Sequence, residues 1–182
     1  MTKTVFISGS IKIKKLSKEH EVRINNIVNN GLNIVIGDAS GVDLAVQKKL
    51  VSYDNVTLFH TSEIPRNNVG GWKTQHIVPT QPLKGALLHQ EKDKAMVKNA
   101  DYALVIWDGS SIGSLANIYR MALQRKASVV FCGESDVVIK DLDGALKLIS
   151  STPQNMRSEL KKRLTKQEMF ILSNYTQKDI FS

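Results

Sequence analysis

The sequence predicts an α/β fold: a Rossmann-like, doubly wound, mostly parallel sheet with helices on both faces, plus a short helical C-terminal extension. Three observations predict it. Short continuous apolar runs alternate with stretches whose apolar residues recur every three or four positions. The apolar runs lack in-out alternation, so both their faces are buried, as in parallel sheets. The chain has 182 residues, 42% hydrophobic and 23% charged, enough for one such domain and its core. Right-handed crossovers between parallel strands then wind the sheet.

Taken in order, "KTVFIS" (Lys3–Ser8) is a strand that breaks at Gly9. Ser17 caps a helix with Ile24, Ile27 and Val28 on one face, ended by Asn30-Gly31. "LNIVIGD" is a second strand, broken at Gly37, and the spacing of Val42, Val46 and Leu50 puts a helix directly after it. "NVTLFH" (Asn55–His60) is a third strand. From Thr61 to Pro82 the pattern dissolves into three prolines and two adjacent glycines, with a short strand around Gln75–Val78. Loops of this length tend to be functional or mobile.

A polar helix, Lys84–Asn99, restores the periodicity and leads into "DYALVIW" (Asp101–Trp107), the most buried-looking strand. The next helix carries Leu115, Ile118, Tyr119 and Ala122 on one face. "ASVVFC" is a strand, and "SDVVIKDLDGALKLIS" reads as a short strand and a short helix. This closes a Rossmann-like domain over 1–150. Residues 151–182 form the extension, with two short helices between Pro153 and Phe181. Their Leu160, Leu164, Met169, Phe170, Ile171 and Leu172 either pack on the sheet domain or mediate a dimer.

Composition narrows the function classes. No apolar run reaches the ~18 residues needed to span a bilayer, and "MTKTVFISGS" is too short in apolar residues for a signal peptide. A cytoplasmic protein without a membrane partner is the expectation. The single cysteine, Cys132, cannot form an intrachain disulfide and reads as a buried strand residue. The net charge of +8 and pI near 9.6 leave an anionic partner open. The excess is diffuse, however: Lys12–Arg23 and Ser151–Ser182 contribute +3 each, without a run of five like charges. Only 6% of residues are aromatic, so stacking-rich single-strand binding is not advertised and nucleic acid is not the favoured partner.

In a doubly wound sheet, ligands bind beyond the carboxyl ends of the strands at a topological switch point. Three strand ends here carry unusual punctuation. In "FISGSIKI", Gly9 permits close backbone approach, and Ser8 and Ser10 offer hydroxyls. In "VIGDASGVDLAVQKKL", Gly37 and Gly41 bracket a tight turn, and Ser40 or Gly41 opens a helix whose amides and dipole favour an anion. Asp43 just inside that helix either holds the turn or contacts a ligand hydroxyl, and Asp38 at the strand end faces the crevice more freely. In "VIWDGSSIGSLANIYRMALQ", Asp108 ends the strand and Gly109 to Gly113 form the turn. The amides of Ser111 through Ser114 could cradle a phosphate there, with Asn117 one turn further in. Arg66, from the irregular loop, adds charge to the crevice or lies exposed. Trp107 reads as core or as a base-stacking group, and Trp72, in "GGW", as a lid or as packing on its own domain. The four histidines are widely spaced and G-x-G-x-x-G is absent, so neither a metal nor a cofactor is expected.

The three turns together resemble the SLOG superfamily of Rossmann-like nucleotide-binding proteins. It includes the "lonely guy" phosphoribohydrolases, the DNA-processing protein A family and the YspA-like sensors. "GDASGVDLAVQKKL" is similar to the G-x-A-x-G-[AIV]-D-x-x-A segment of the YspA-like and DNA-processing branches, and "GSSIGSLAN" occupies the place of the phosphoribohydrolases' P-G-G-x-G-T-x-x-E. The resemblance covers Lys3 to Cys132 and implies a nucleotide or nucleotide derivative as ligand and, since members of the superfamily often dimerise, a homo-oligomer. In the phosphoribohydrolases the motif's glutamate works on the N-glycosidic bond; aligning Gly113-Ser114 with Gly-Thr puts Asn117 in its place. An amide cannot serve as carboxylate base or nucleophile, but it can hydrogen-bond a ribose hydroxyl. Three functions follow in order of expectation: a nucleotide-binding protein or sensor; an N-glycosidic-bond hydrolase or transferase with Asp38, Asp43 or Asp108 as its carboxylate; and a single-stranded-DNA-binding protein.

Overall fold

A computed structural model describes residues 2–133 and 135–178. Its strands are β1 (Thr4–Gly9), β2 (Asn33–Gly37), β3 (Val56–His60), β4 (Lys73–His76), β5 (Tyr102–Trp107), β6 (Ser128–Cys132) and β7 (Ser135–Ile139). Its helices are α1 (Lys18–Asn29), α2 (Val42–Lys49), α3 (Gly85–Asn99), α4 (Ile112–Leu123), α5 (Leu142–Ser151), α6 (Gln154–Arg163) and α7 (Lys166–Lys178). The strands form one sheet in the order β4-β3-β2-β1-β5-β6-β7. Every neighbouring pair is parallel except β6–β7. The short turn at Gly133 is too brief for a crossover, so β7 returns antiparallel.

Alternate strand residues feed two cores. Val5, Ile7, Ile34, Ile36, Leu58 and Ile106 pack under α1 and α2 on one face. Phe6, Val35, Ala103, Val105 and Val130 pack under α3, α4 and α5 on the other. This is the two-sided burial that the unbroken apolar runs predict. Ser17 caps α1 as expected, accepting from the His20 amide while the His20 ring accepts from the Ser17 amide.

Met156, Leu160, Leu164 and Leu172 of α6 and α7 join the α4 side of the core. The extension therefore packs on the sheet domain. Its Phe170 stays 66% exposed, and Phe181 lies outside the described residues. No described helix is long and apolar enough to cross a membrane.

Two expectations are corrected. The strand foreseen around Gln75–Val78 runs from Lys73 to His76 as an edge strand with all four residues exposed. Cys132 is exposed rather than buried, because it ends β6 at the hairpin leading to the edge strand. Trp72 is not a lid. It is buried in the α1/α2 core, its indole N–H donates to the Tyr53 carbonyl at 2.8 Å, and the Asn68 side chain bonds both its amide and its carbonyl. Trp107 belongs to the core, as one of its two readings held, and its indole N–H donates to the Ser111 carbonyl at 3.0 Å.

Candidate functional site

The chain winds outward from β1 to β4 on one side and from β5 to β7 on the other, so the switch point lies between β1 and β5. A cavity of ≈ 400 Å³ opens there, at the carboxyl ends of these strands, between the start of α4 and the first half of α3. That volume suits a small ligand. Of the residues singled out from sequence, Gly9, Asp43, Arg66, Ser111, Gly113, Ser114 and Asn117 line it. Ser10, Gly37, Asp38, Ser40, Gly41, Asp108 and Gly109 do not, and the reasons are local.

Ser10 is fully buried, and its hydroxyl donates to Asp108 Oδ1 and accepts from the Asp108 amide. The Asp108 carboxylate also accepts from the amides of Ser110 and Ser111 and from the Ser110 hydroxyl. Burial pushes its pKa up, and these hydrogen bonds outweigh burial and hold it below the ordinary value. Asp38 is 1% exposed and is not free to face the crevice. It accepts from Arg66 Nε at 3.0 Å, Arg66 Nη2 at 2.6 Å and the Arg66 amide at 3.1 Å. Burial alone would raise its pKa; Arg66 lowers it overall.

The anion-binding expectations for two corners are also corrected. At the second, the backbone of Ile11 lies where a Gly41 side chain would project, and Val42 N–H is directed at the Ser10 carbonyl at 3.3 Å. Ser40 is exposed outside the cavity. At the third, a cradle made by all the amides from Ser111 to Ser114 does not exist. Asp108 takes the Ser111 amide, and the Ser111 hydroxyl accepts from the Ser114 amide at 3.3 Å as N-cap. The amides of Ile112 and Gly113 remain, without intrahelical partners. A side chain at Gly113 would meet no atom within 4 Å.

The floor of the cavity comes from α3, which the sequence reading passed over as a polar helix. Lys92 is 4% exposed, and its ammonium pairs with Asp93 Oδ1 at 2.9 Å. Burial opposes its charge, but Asp93 and Asp43 raise its pKa overall. Asp93 Oδ2 also accepts from Asn117 Nδ2 at 3.4 Å. Asp43 accepts from the Ala39 amide at 3.2 Å, the turn-holding role foreseen for it. Desolvation pushes its carboxyl up to about 6, against the pull of Lys92. His89 also lines the cavity, and burial, with Arg66 and Lys92 nearby, lowers its pKa. Arg163, from the end of α6, completes the wall. One signal was available for α3: a helix without an apolar stripe, placed between two buried strands, must put some of its charges inside.

Three buried polar atoms on cavity-lining residues have no hydrogen-bond partner among the described residues: Ser8 Oγ, Gln90 Nε2 and Asn117 Oδ1. Such orphans are rare and point to an absent partner. The site therefore offers hydroxyl-binding groups, a carboxyl that titrates near neutral pH, and cations at its rim. Among the described residues, no group of three or more His, Cys, Asp or Glu side chains could hold a metal ion. Comparison of the chain with protein-family models, curated proteins and solved structures finds no match.

Proposed function

We propose that this chain binds a nucleotide-like small molecule in the switch-point cavity and acts as a ligand-binding or sensing protein. The observation that carries the reading is the set of orphaned polar atoms, Ser8 Oγ, Gln90 Nε2 and Asn117 Oδ1, on residues lining one cavity at the switch point. Asn117 and Asp93 suit ribose hydroxyls, a role that Asp38, engaged by Arg66, does not take. The apolar side chain of Met96, also in the lining, suits a base. Single-stranded nucleic acid fits less well, because Arg66 and Lys92 are already matched by Asp38 and Asp93.

Thermal-shift titration with nucleosides, nucleoside monophosphates, cyclic nucleotides and NAD tests the reading. At about 100 times its Kd a ligand adds about 2.7 kcal/mol. Asn117→Leu should abolish that gain for a ligand that stabilises the wild type. No stabilisation by any member of the panel would refute the proposal.

A second reading, chemistry on an N-glycosidic bond, draws support from the cavity's carboxylates. Burial pushes Asp43 up to about 6, and the Asp93 carboxyl pairs with Lys92 at 2.9 Å, so two carboxyl groups in different surroundings face one cavity. Asp93 reaches the Asn117 amide, so a carboxylate stands beside the position where the resembled motif has glutamate. Release of free base from a bound nucleotide, lost in Asp93→Asn, is the result this reading requires.

A further inference from the structure

The start of α4 is poorly suited to a ligand's anionic group. The Asp108 carboxylate sits in that turn and consumes the Ser110 and Ser111 amides, and Ser111 consumes that of Ser114. An arriving anion would meet two remaining amides and a fixed negative charge.

Where α3, α4 and α6 meet, the opposite holds. Gln90 and Arg120 are each 3% exposed. Arg120 Nη2 donates to Gln90 Oε1 at 3.1 Å and to the Arg163 carbonyl at 2.8 Å, and Arg120 Nε pairs with Glu168 at 2.8 Å. That leaves two buried donors without acceptors, Gln90 Nε2 and Arg120 Nη1. Gln90 and Arg163 line the cavity, and Arg163 has no ion pair among the described residues. Glu168 offsets the charge of Arg120, so Arg163 supplies the net positive charge of this corner.

We propose that this donor corner, Gln90 and Arg163 backed by Arg120, receives an anionic phosphoryl group, either a ligand's phosphate monoester or free phosphate. The inference rests on the cavity being the ligand site, and it moves the phosphate from the glycine/serine turn to the far wall. The C-terminal helices then belong to the site: Arg163 stands at the end of α6, held in place by the burial of Leu160 and Leu164.

The test measures binding of the four ribonucleoside 5′-monophosphates, their nucleosides, and inorganic phosphate by calorimetry. It compares wild type, Arg163→Ala, Arg163→Lys and Gln90→Leu, the last of which keeps the volume and removes the donor. A bound monophosphate should outbind its nucleoside. Arg163→Ala should weaken it about tenfold or more, a loss typical of one charge-assisted hydrogen bond, while leaving the nucleoside's affinity unchanged, and Arg163→Lys should recover part of the loss. Monophosphate binding unchanged in Arg163→Ala and Gln90→Leu would overturn the donor corner and leave the nucleotide reading standing. Phosphate binding that needs Arg163, with no nucleoside or nucleotide bound, would keep the corner and remove the nucleotide reading. Binding of neither monophosphate nor phosphate would overturn the corner.

Discussion

Ser10 and Asp108 exchange two hydrogen bonds across the switch point: the Ser10 hydroxyl donates to Asp108 Oδ1 at 2.8 Å and accepts from the Asp108 amide at 2.9 Å. The two residues that end β1 and begin the turn after β5 are thereby locked to each other rather than offered to a ligand. Their role is stability. Ser10→Ala should cost about 1–2 kcal/mol, because it removes both bonds and leaves the part-buried Asp108 amide without its acceptor, while Asp108 Oδ1 keeps the Ser110 and Ser111 amides. In a domain of this size that lowers Tm by about 2–4 °C per kcal/mol. Thermal denaturation checks it, and unchanged Tm would mean that water replaces the hydroxyl.

Two glycines at the site should respond in opposite ways to alanine. At Gly37 the new methyl would lie 2.7 Å from Lys92 Nζ and collide with the Asp43 carboxylate, both buried and ionisable. Neither group can move without losing its partners, so Gly37→Ala should cost at least the 1–3 kcal/mol of ordinary overpacking, about 3 kcal/mol or more. Gly113 is helical and its methyl would meet nothing, so Gly113→Ala should stabilise the free protein by about 0.5–1 kcal/mol. Because Gly113 lines the cavity, the same methyl should weaken a ligand that approaches its backbone. Paired denaturation and binding curves for the two variants measure this.

Asp43 sets a pH dependence. Its folded pKa is raised, to about 6 from an ordinary 3.8, so between those values the folded state holds a proton that the unfolded state has lost. Stability therefore falls as pH rises from about 4 to about 6 and levels off above. The ceiling of that loss is about 3 kcal/mol, at about 1.4 kcal/mol per unit. His20 and His89, whose pKa values burial lowers, act in the opposite sense at the upper part of the window. The difference between wild type and Asp43→Asn removes their contribution. Denaturant titrations from pH 4 to pH 7 should show the wild type losing stability relative to Asp43→Asn as pH rises.

The alternation of strands and helices was legible because burial on both faces leaves an unbroken apolar run, and the helix start at Ser17 because its side chain caps; α4, expected to start at Ser114 after a turn through Gly113, instead begins at Ile112 with Ser111 as its cap. The site was half legible. Glycine and serine advertise strand ends, so Gly9, Ser111, Gly113 and Asn117 were found at the cavity. Nothing in a linear string says that Asp38 meets Arg66, 28 positions away, or that Asp108 turns back on its own loop. Lys92, Asp93 and Gln90 were missed because a charged helix reads as solvated until its neighbours are known. Arg163 was missed because a basic tail offers many arginines and lysines, and only the docking of α6 selects one.

That docking rests on the burial of Leu160, Leu164 and Leu172 and on one ion pair to α4. Arg120 is 3% exposed, and its Nε pairs with Glu168 Oε1 at 2.8 Å. The other oxygen of Glu168 accepts from the Thr165 amide at 2.7 Å, while the Glu168 amide donates to Thr165 Oγ1, a capping box at the start of α7. The Tyr119 hydroxyl donates to the Glu168 carbonyl at 2.9 Å, and burial with the Glu168 charge pushes its pKa up to about 12. Glu168→Ala removes the counter-charge of a buried guanidinium together with the carboxylate's half of the capping box, the bond from the Thr165 amide. Breaking such a pair costs about 3–5 kcal/mol, nearer the low end here because the Glu168 side chain keeps 15% exposure. Replacing both partners, Arg120→Met with Glu168→Leu, should recover much of that loss, since no buried charge is then stranded. The two variants separate stability from function: the double variant should fold and keep α6 and α7 protected from hydrogen exchange. It should still bind a monophosphate more weakly than wild type, because Arg120 no longer backs Gln90 and Arg163. Wild-type affinity in the double variant would mean that Arg120 serves the fold alone.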